Sequence, residues 1–190
     1  MRKLLVALVC LWLGGGTSSG FAEPDGIVKK YYDERYENRG KLWKEETYKD
    51  GKLNGLTREY DPDGKLREEV PYKDGKPYGV AKYYNNDGTL REERPYGVSE
   101  GVIREYYRDG TLRAETNFKK GGLRDGIHKY YYVTGELMVE ANYKDDEAHG
   151  ITKEYYKNGQ LMREITYKNG VQVQKKEYDE KGKRLSEWSR

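Results

Sequence analysis

The stretch GVIREYYRDGTLRAETNF, Gly101 to Phe118, decides the fold. Its first seven residues alternate. Val102, Arg104 and Tyr106 therefore share one face of an extended strand, and Ile103, Glu105 and Tyr107 share the other. Asp109-Gly110 follows, a pair suited to a tight hairpin turn because glycine takes positive φ without a Cβ clash. Leu112, Ala114, Thr116 and Phe118 then alternate again and are expected to face together. The stretch reads as one β-hairpin.

The hairpin repeats along the chain. Gly26, Gly55, Gly79, Gly101, Gly126 and Gly150 each open a similar segment, at spacings of 29, 24, 22, 25 and 24 residues. A tyrosine sits five residues after each opening glycine: Tyr31, Tyr60, Tyr84, Tyr106, Tyr131 and Tyr155. From the second repeat on, a second glycine, a leucine and an aromatic recur at fixed offsets, as in Gly110, Leu112 and Phe118. The first repeat has the same second half, Gly40, Leu42 and Tyr48, displaced by the insertion DERYENRG at 33–40. A degenerate seventh repeat begins near Val173, keeps Tyr178 and Gly182, and has Leu185 one position late. Asp-Gly or Asn-Gly pairs occur within repeats and between them, so every connection is expected to be a hairpin turn and all strands antiparallel. No segment after the N-terminus has helical periodicity. The expected fold is all-β: an elongated, single-layer, solenoid-like meander of about six tandem hairpins.

The pattern GxxxxYYxxGxLxxExxYKNG resembles the bacterial variant of the MORN repeat. Its clearest copies are GLTREYDPDGKLREEVPYKDG, GVIREYYRDGTLRAETNFKKG and GITKEYYKNGQLMREITYKNG. The resemblance runs from Gly26 to about Gly182. Similar bacterial chains carry an antitoxin-like label, and eukaryotic arrays of this repeat are scaffolds with proposed lipid contacts. The resemblance implies a β-meander used for binding and implies no catalytic residue.

The N-terminus has a different character. Arg2 and Lys3 precede the apolar run LLVALVCLWL at 4–13, and small residues Gly20 and Ala22 stand at the −3 and −1 positions before an expected cleavage after Ala22. This is a signal-peptide pattern, and ten apolar residues are too few to span a bilayer as a helix. Residues 1–22 are thus read as a leader and 23–190 as the repeat array, exported to the periplasm or beyond. Processing removes Cys10, so disulfides and thiol chemistry drop out. It also leaves 34 basic against 33 acidic residues, a balance that gives no sign of a nucleic-acid partner and argues against an anionic membrane surface, which stays a weakly supported alternative. All 20 tyrosines lie in the mature part.

No residue pattern points to catalysis, a cofactor or a metal. Adjacent carboxylates such as Glu68-Glu69 point to opposite sides of a strand and cannot converge as an acid–base pair. They are expected to form cross-strand ion pairs with nearby Lys and Arg. His128 and His149 are the only histidines, too few for a zinc site. The glycines precede no helix and so cradle no phosphate. The regular tyrosine column reads as a cross-strand ladder. The neighbouring, less regular column, interrupted by Asp61 and Asn85, is the better candidate for partner contact. Tyr107, Tyr130, Tyr132 and Tyr156 are its candidate residues, with the tripled tyrosines 130–132 the densest patch. The expected function is a protein-interaction or scaffold surface, with lipid-headgroup association or neutralisation of an exported protein as alternatives. The chain is expected to be a monomer or an oligomer paired through sheet edges.

Overall fold

The computed structural model describes residues 25–32 and 40–190. The leader reading at 1–22 and nearly all of the 33–40 insertion lie outside these residues. The described residues form seventeen strands and no helix. They divide into two compact units, one ending at Thr89 and the other starting at Leu90. The first unit contains β1 (Gly26–Tyr31), β2 (Leu42–Lys49), β3 (Lys52–Leu53), β4 (Gly55–Tyr60), β5 (Leu66–Lys73), β6 (Lys76–Pro77) and β7 (Gly79–Tyr84). The second contains β8 (Leu90–Tyr96), β9 (Glu100–Tyr106), β10 (Leu112–Lys119), β11 (Gly126–Tyr131) and β12 (Leu137–Lys144). It continues with β13 (Glu147–Ala148), β14 (Gly150–Tyr155), β15 (Leu161–Lys168), β16 (Val171–Tyr178) and β17 (Arg184–Ser189).

Within each unit the strands form an open antiparallel meander, as the repeated hairpins require. Each long strand pairs with the long strands before and after it, for example β9 with β10 and β10 with β11. The two-residue strands β3, β6 and β13 continue the turns between repeats. The degenerate seventh repeat forms a full hairpin, β16 with β17.

The Asp-Gly and Asn-Gly pairs serve two turn types. Between repeats, both central residues take positive φ: Asp50 and Gly51, Asp74 and Gly75, Asn169 and Gly170. These have the φ signature of mirror-image two-residue turns, which suit the twist of antiparallel strands. Asp145-Asp146 does the same without glycine, at φ 54 and 68. Within repeats, only the glycine is left-handed. There the Gly110 amide donates to the Tyr107 carbonyl, and the Tyr107 amide donates to Thr111. Asp109 accepts the Thr111 amide at 2.9 Å, which closes the loop from its side-chain end.

A register shift follows each of these inner turns. Tyr106 lies opposite Leu112, whereas Glu105 lies opposite Ala114, so Arg113 is the extra residue of a bulge. The bulge moves Leu112 to the side of Tyr106 and Glu115. Leu112 therefore does not face with Ala114, Thr116 and Phe118, contrary to simple alternation. In the last hairpin Tyr178 lies opposite Arg184 and Glu177 opposite Ser186, so Leu185 occupies the bulge. Arg184 thus takes the paired place of the other repeats' leucine, and Leu185 the bulge place of Arg113.

One side of the sheet is the packed side. Val70, Ala81, Ala114, Ala141 and Ile165 are its buried apolar residues, joined by Thr57, Thr152, Glu46 and His128. Each repeat's aromatic is laid opposite its opening glycine: Tyr48 opposite Gly26, Tyr72 opposite Gly55, Phe118 opposite Gly101, Tyr143 opposite Gly126 and Tyr167 opposite Gly150. At Gly101 a Cβ would lie 3.1 Å from the Phe118 ring and 2.8 Å from Pro95 Cγ. This glycine is needed for close approach. Gly110 is needed for its φ of 88 alone, since nothing lies within 4 Å of a Cβ there.

Two glycines with different physical roles should respond differently to substitution. Gly110→Ala is expected to cost about 1–2 kcal/mol, and Gly110→Asn to recover most of it, because asparagine tolerates the left-handed region. Gly101→Ala is expected to cost about 1–3 kcal/mol by overpacking, and Gly101→Asn to cost more. Urea unfolding of the four variants measures both orders.

Candidate binding surface

The side opposite the packed one carries a charge ladder in strict cross-strand register. In the first unit it runs Lys29, Glu45, Arg58, Glu69, Lys82, each directly opposite the next. In the second it runs Glu93, Arg104, Glu115, Lys129, Glu140, Lys153, Glu164, Lys176, Glu187. Contacts along it include Lys29 to Glu45 at 3.2 Å, Arg58 Nε to Glu69 at 2.8 Å, Arg104 Nε to Glu115 at 3.1 Å and Lys176 to Glu164 at 3.0 Å.

The first tyrosine of a repeat locks onto this ladder. Tyr60 donates to Glu45 at 2.9 Å, Tyr84 to Glu69 at 3.0 Å, Tyr106 to Glu93 at 2.9 Å and Tyr131 to Glu115 at 3.3 Å. Each bond reaches back to the preceding repeat. Burial opposes ionisation of Glu45 and Glu69, yet hydrogen bonds from Tyr60 and Lys29, and from Arg58 and Tyr84, hold both below the ordinary carboxylate value. The same geometry pushes Tyr60 and Tyr106 up, by burial first and by the carboxylate second.

Beside the ladder runs an aliphatic stripe, one residue after each opening glycine. Ile27, Val80, Ile127 and Ile151 are exposed at 63%, 51%, 44% and 43%. The residue opposite or diagonal to it on the preceding repeat ties the stripe's backbone. Thr47 donates to the Leu56 carbonyl at 2.9 Å, Asn142 donates to Ile151 at 2.8 Å, and Asn117 donates to Ile127. Val102, Glu115, Asn117, Ile127 and Lys129 line a shallow hollow in this stripe.

The sequence-read candidates lie on the packed side. Tyr107, Tyr132 and Tyr156 are half-buried, and each hydroxyl donates to the carbonyl of the next repeat's first tyrosine: Tyr131 at 2.7 Å, Tyr155 at 2.8 Å and Tyr178 at 2.9 Å. Tyr32 makes the same tie to Tyr60 at 2.9 Å. These hydroxyls hold neighbouring repeats together, so a partner would meet ring surface rather than free donors. Tyr130 shares that side, opposite Ala114 and Val139. Burial raises its pKa. Asp61 and Asn85, at the equivalent position, turn to Arg67 and Thr89 instead.

Sequence reasoning missed His128. It is fully buried, packs its ring 4.7 Å from Tyr143, and has no hydrogen-bond partner at either ring nitrogen among the described residues. Arg124 also packs on Tyr143: its guanidinium lies 4.1 Å from the ring, and its Nε is 3.1 Å from Asp146. Burial pushes the His128 pKa below 6.5. The only sequence signal was position, since Thr57, Ala81 and Thr152 occupy the same buried place in other repeats. His149 sits in the link between β13 and β14, and the nearby Asp145 and Asp146 are taken by Lys119 at 2.5 Å and by Arg124. Among the described residues no group of three His, Cys, Asp or Glu side chains converges as metal ligands.

His128 should confer a pH dependence with a defined sign. Well above pH 6.5 it is neutral folded and unfolded and contributes none. As pH falls below that value the unfolded chain takes a proton that the folded chain resists, so stability drops. The ladder carboxylates lose their contribution only below the ordinary carboxylate range, so the windows separate. Thermal unfolding between about pH 7 and about pH 5 should show the loss in the wild type and not in His128→Thr. Tyr132→Phe, which removes one inter-repeat bond, should cost about 1 kcal/mol at either pH.

Comparison with known proteins agrees with this architecture. The MORN repeat variant matches five tandem segments, residues 53–74, 77–96, 99–120, 124–145 and 148–169. No curated protein matches the chain. The matched segments fall on the hairpins described above and cover more than half of the sequence, and the chain therefore belongs to the MORN repeat variant family.

Proposed function

We propose that this chain is an exported, non-catalytic protein-interaction or scaffold module. Repeats of this family are commonly protein- or membrane-interaction modules and are generally non-catalytic. The observation that carries the protein reading is the aliphatic stripe of the second unit. Ile127 and Ile151 stand exposed at 44% and 43% on strands whose backbones are held by Asn117 and Asn142 of the preceding repeats. An ordered apolar stripe bordered by alternating charge suits a protein partner, because the apolar rows supply the attraction and the ladder supplies register. The ladder's alternation leaves no excess of positive charge for anionic lipid. Export follows from the leader pattern at 1–22, and neutralisation of an exported protein is a narrower form of the same role. The four candidate tyrosines, Tyr107, Tyr130, Tyr132 and Tyr156, offer a second surface through their rings.

Affinity capture from the envelope of the source cells tests the assignment of the surface. Replacing Ile127 and Ile151 together by serine should weaken capture of the partner about fivefold or more. Tyr130→Ala with Tyr132→Ala, which remove the rings, should leave it within about twofold in protein that circular dichroism shows to be folded. The reverse pattern would move the contact to the packed side. Co-sedimentation of the wild type with anionic vesicles at low salt would favour the lipid alternative.

A further inference from the structure

The two ends of the array carry matching halves of one inter-repeat junction. Among the described residues β1 pairs only with β2 and β17 only with β16, so no described strand lies on the outer edge of either. Strand order makes these edges compatible. In the meander a strand of the β17 type is followed by an antiparallel strand of the β1 type, as β2 is by β4 and β12 by β14.

The side chains match position by position. Inside the chain a ladder glutamate stands opposite the basic residue three after the next opening glycine: Glu45 opposite Arg58, Glu69 opposite Lys82, Glu140 opposite Lys153. The first unit's ladder begins at Lys29 and the second unit's ends at Glu187, so these two terminal residues have opposite charge. The first tyrosine of a repeat reaches back to the preceding glutamate, and Tyr31 has no described preceding repeat and is 39% exposed. Two residues beyond the ladder glutamate, Thr47, Asn117 and Asn142 donate to the carbonyl of the next repeat's stripe residue. Ser189 holds that position after Glu187, and Ile27 is the corresponding stripe residue. One residue beyond the glutamate lies a packed-side position that is buried at Glu46, Val70, Ala141 and Ile165. Trp188 holds it in the last hairpin and is 45% exposed.

We propose that the chain assembles head to tail, β17 of one copy adding to β1 of a second copy in the register of an internal junction. Glu187 then stands opposite Lys29, the Tyr31 hydroxyl donates to Glu187, the Ser189 hydroxyl donates to the Ile27 carbonyl, and Trp188 is covered by Val28. Arg184 now holds Glu187 at 2.6 Å, but both groups are exposed and the pair is weak. The contact is heterologous, so it propagates rather than closing a symmetric pair. A symmetric β17–β17 pairing centred on the ladder would instead oppose Glu187 to Glu187.

Charge exchange across the junction tests this. Sedimentation velocity is run over a wide concentration range on the protein purified as the cell processes it, with circular dichroism confirming that each variant is folded. The wild type should grow past a dimer as concentration rises. Glu187→Lys alone, and Lys29→Glu alone, should each weaken association about fivefold or more. An equimolar mixture of the two single variants should recover it, because the introduced lysine of one copy then meets the introduced glutamate of the other. The double variant should recover it alone. A wild type that stays monomeric, an association that stops at a dimer, or a mixture no tighter than its components would each overturn the proposal.

Discussion

Everything in this fold depends on one constraint: a two-stranded hairpin cannot bury its own surface. A thin sheet offers each hairpin only its neighbours, so the attraction has to run between repeats. The sequence meets this with hydrogen bonds and charge rather than with large aliphatics. Of the buried apolar residues among those described, Ala81, Ala114 and Ala141 are small, and Val70 and Ile165 are the branched aliphatics. What spans the junctions is the tyrosine hydroxyl, donated to a ladder carboxylate from one side and to a main-chain carbonyl from the other. Tyrosine suits this place because its ring packs while its hydroxyl bonds.

The same economy shapes the electrostatics. A buried charge is costly unless fully paired. Glu46, the one buried carboxylate among the described residues, is contacted by Lys30 at 2.6 Å, Lys44 at 3.1 Å and the Tyr48 hydroxyl at 2.9 Å. Burial works against its ionisation, and these three donors outweigh it and keep its pKa low. At the other end Glu177 is held at about 2, chiefly by the Ser186 hydroxyl and Lys175. Most other ion pairs here are exposed or half-exposed and individually weak. Their contribution is register, since slipping a strand by one residue would carry its ladder residue to the opposite face and break that strand's ladder pairs on both sides.

Period, strand type and antiparallel pairing were legible because they rest on backbone chemistry, glycine at turns and two-residue alternation. Other features were not. Leu112 changes side because a bulge inserts Arg113, and a bulge leaves no mark in an alternating pattern. The hydroxyl bonds of Tyr107, Tyr132 and Tyr156 span 22 to 24 residues, a separation that periodicity shows only as a recurring residue type. The burial of His128 was hidden because a lone histidine in a charged segment looks solvated, and its position in the repeat was the only guide. The charge ladder was foreseen as ion pairs in general, but not as an alternation along each unit. That requires the register, which sequence spacing alone does not supply.

Asp61 shows what the loss of one such tie entails. Where Tyr32 fastens the first repeat to the carbonyl of Tyr60, Asp61 turns aside to Arg67 and cannot make the equivalent bond to the next repeat. Lys65 still reaches across to the Asn86 carbonyl, at 2.7 Å and in the open. Nearest-neighbour arrays come apart at their poorest joint, not at an average one. Under tension, or in the slow breathing that exchanges amide protons, the β5–β7 junction that lacks this tie is a place where this chain would begin to unzip.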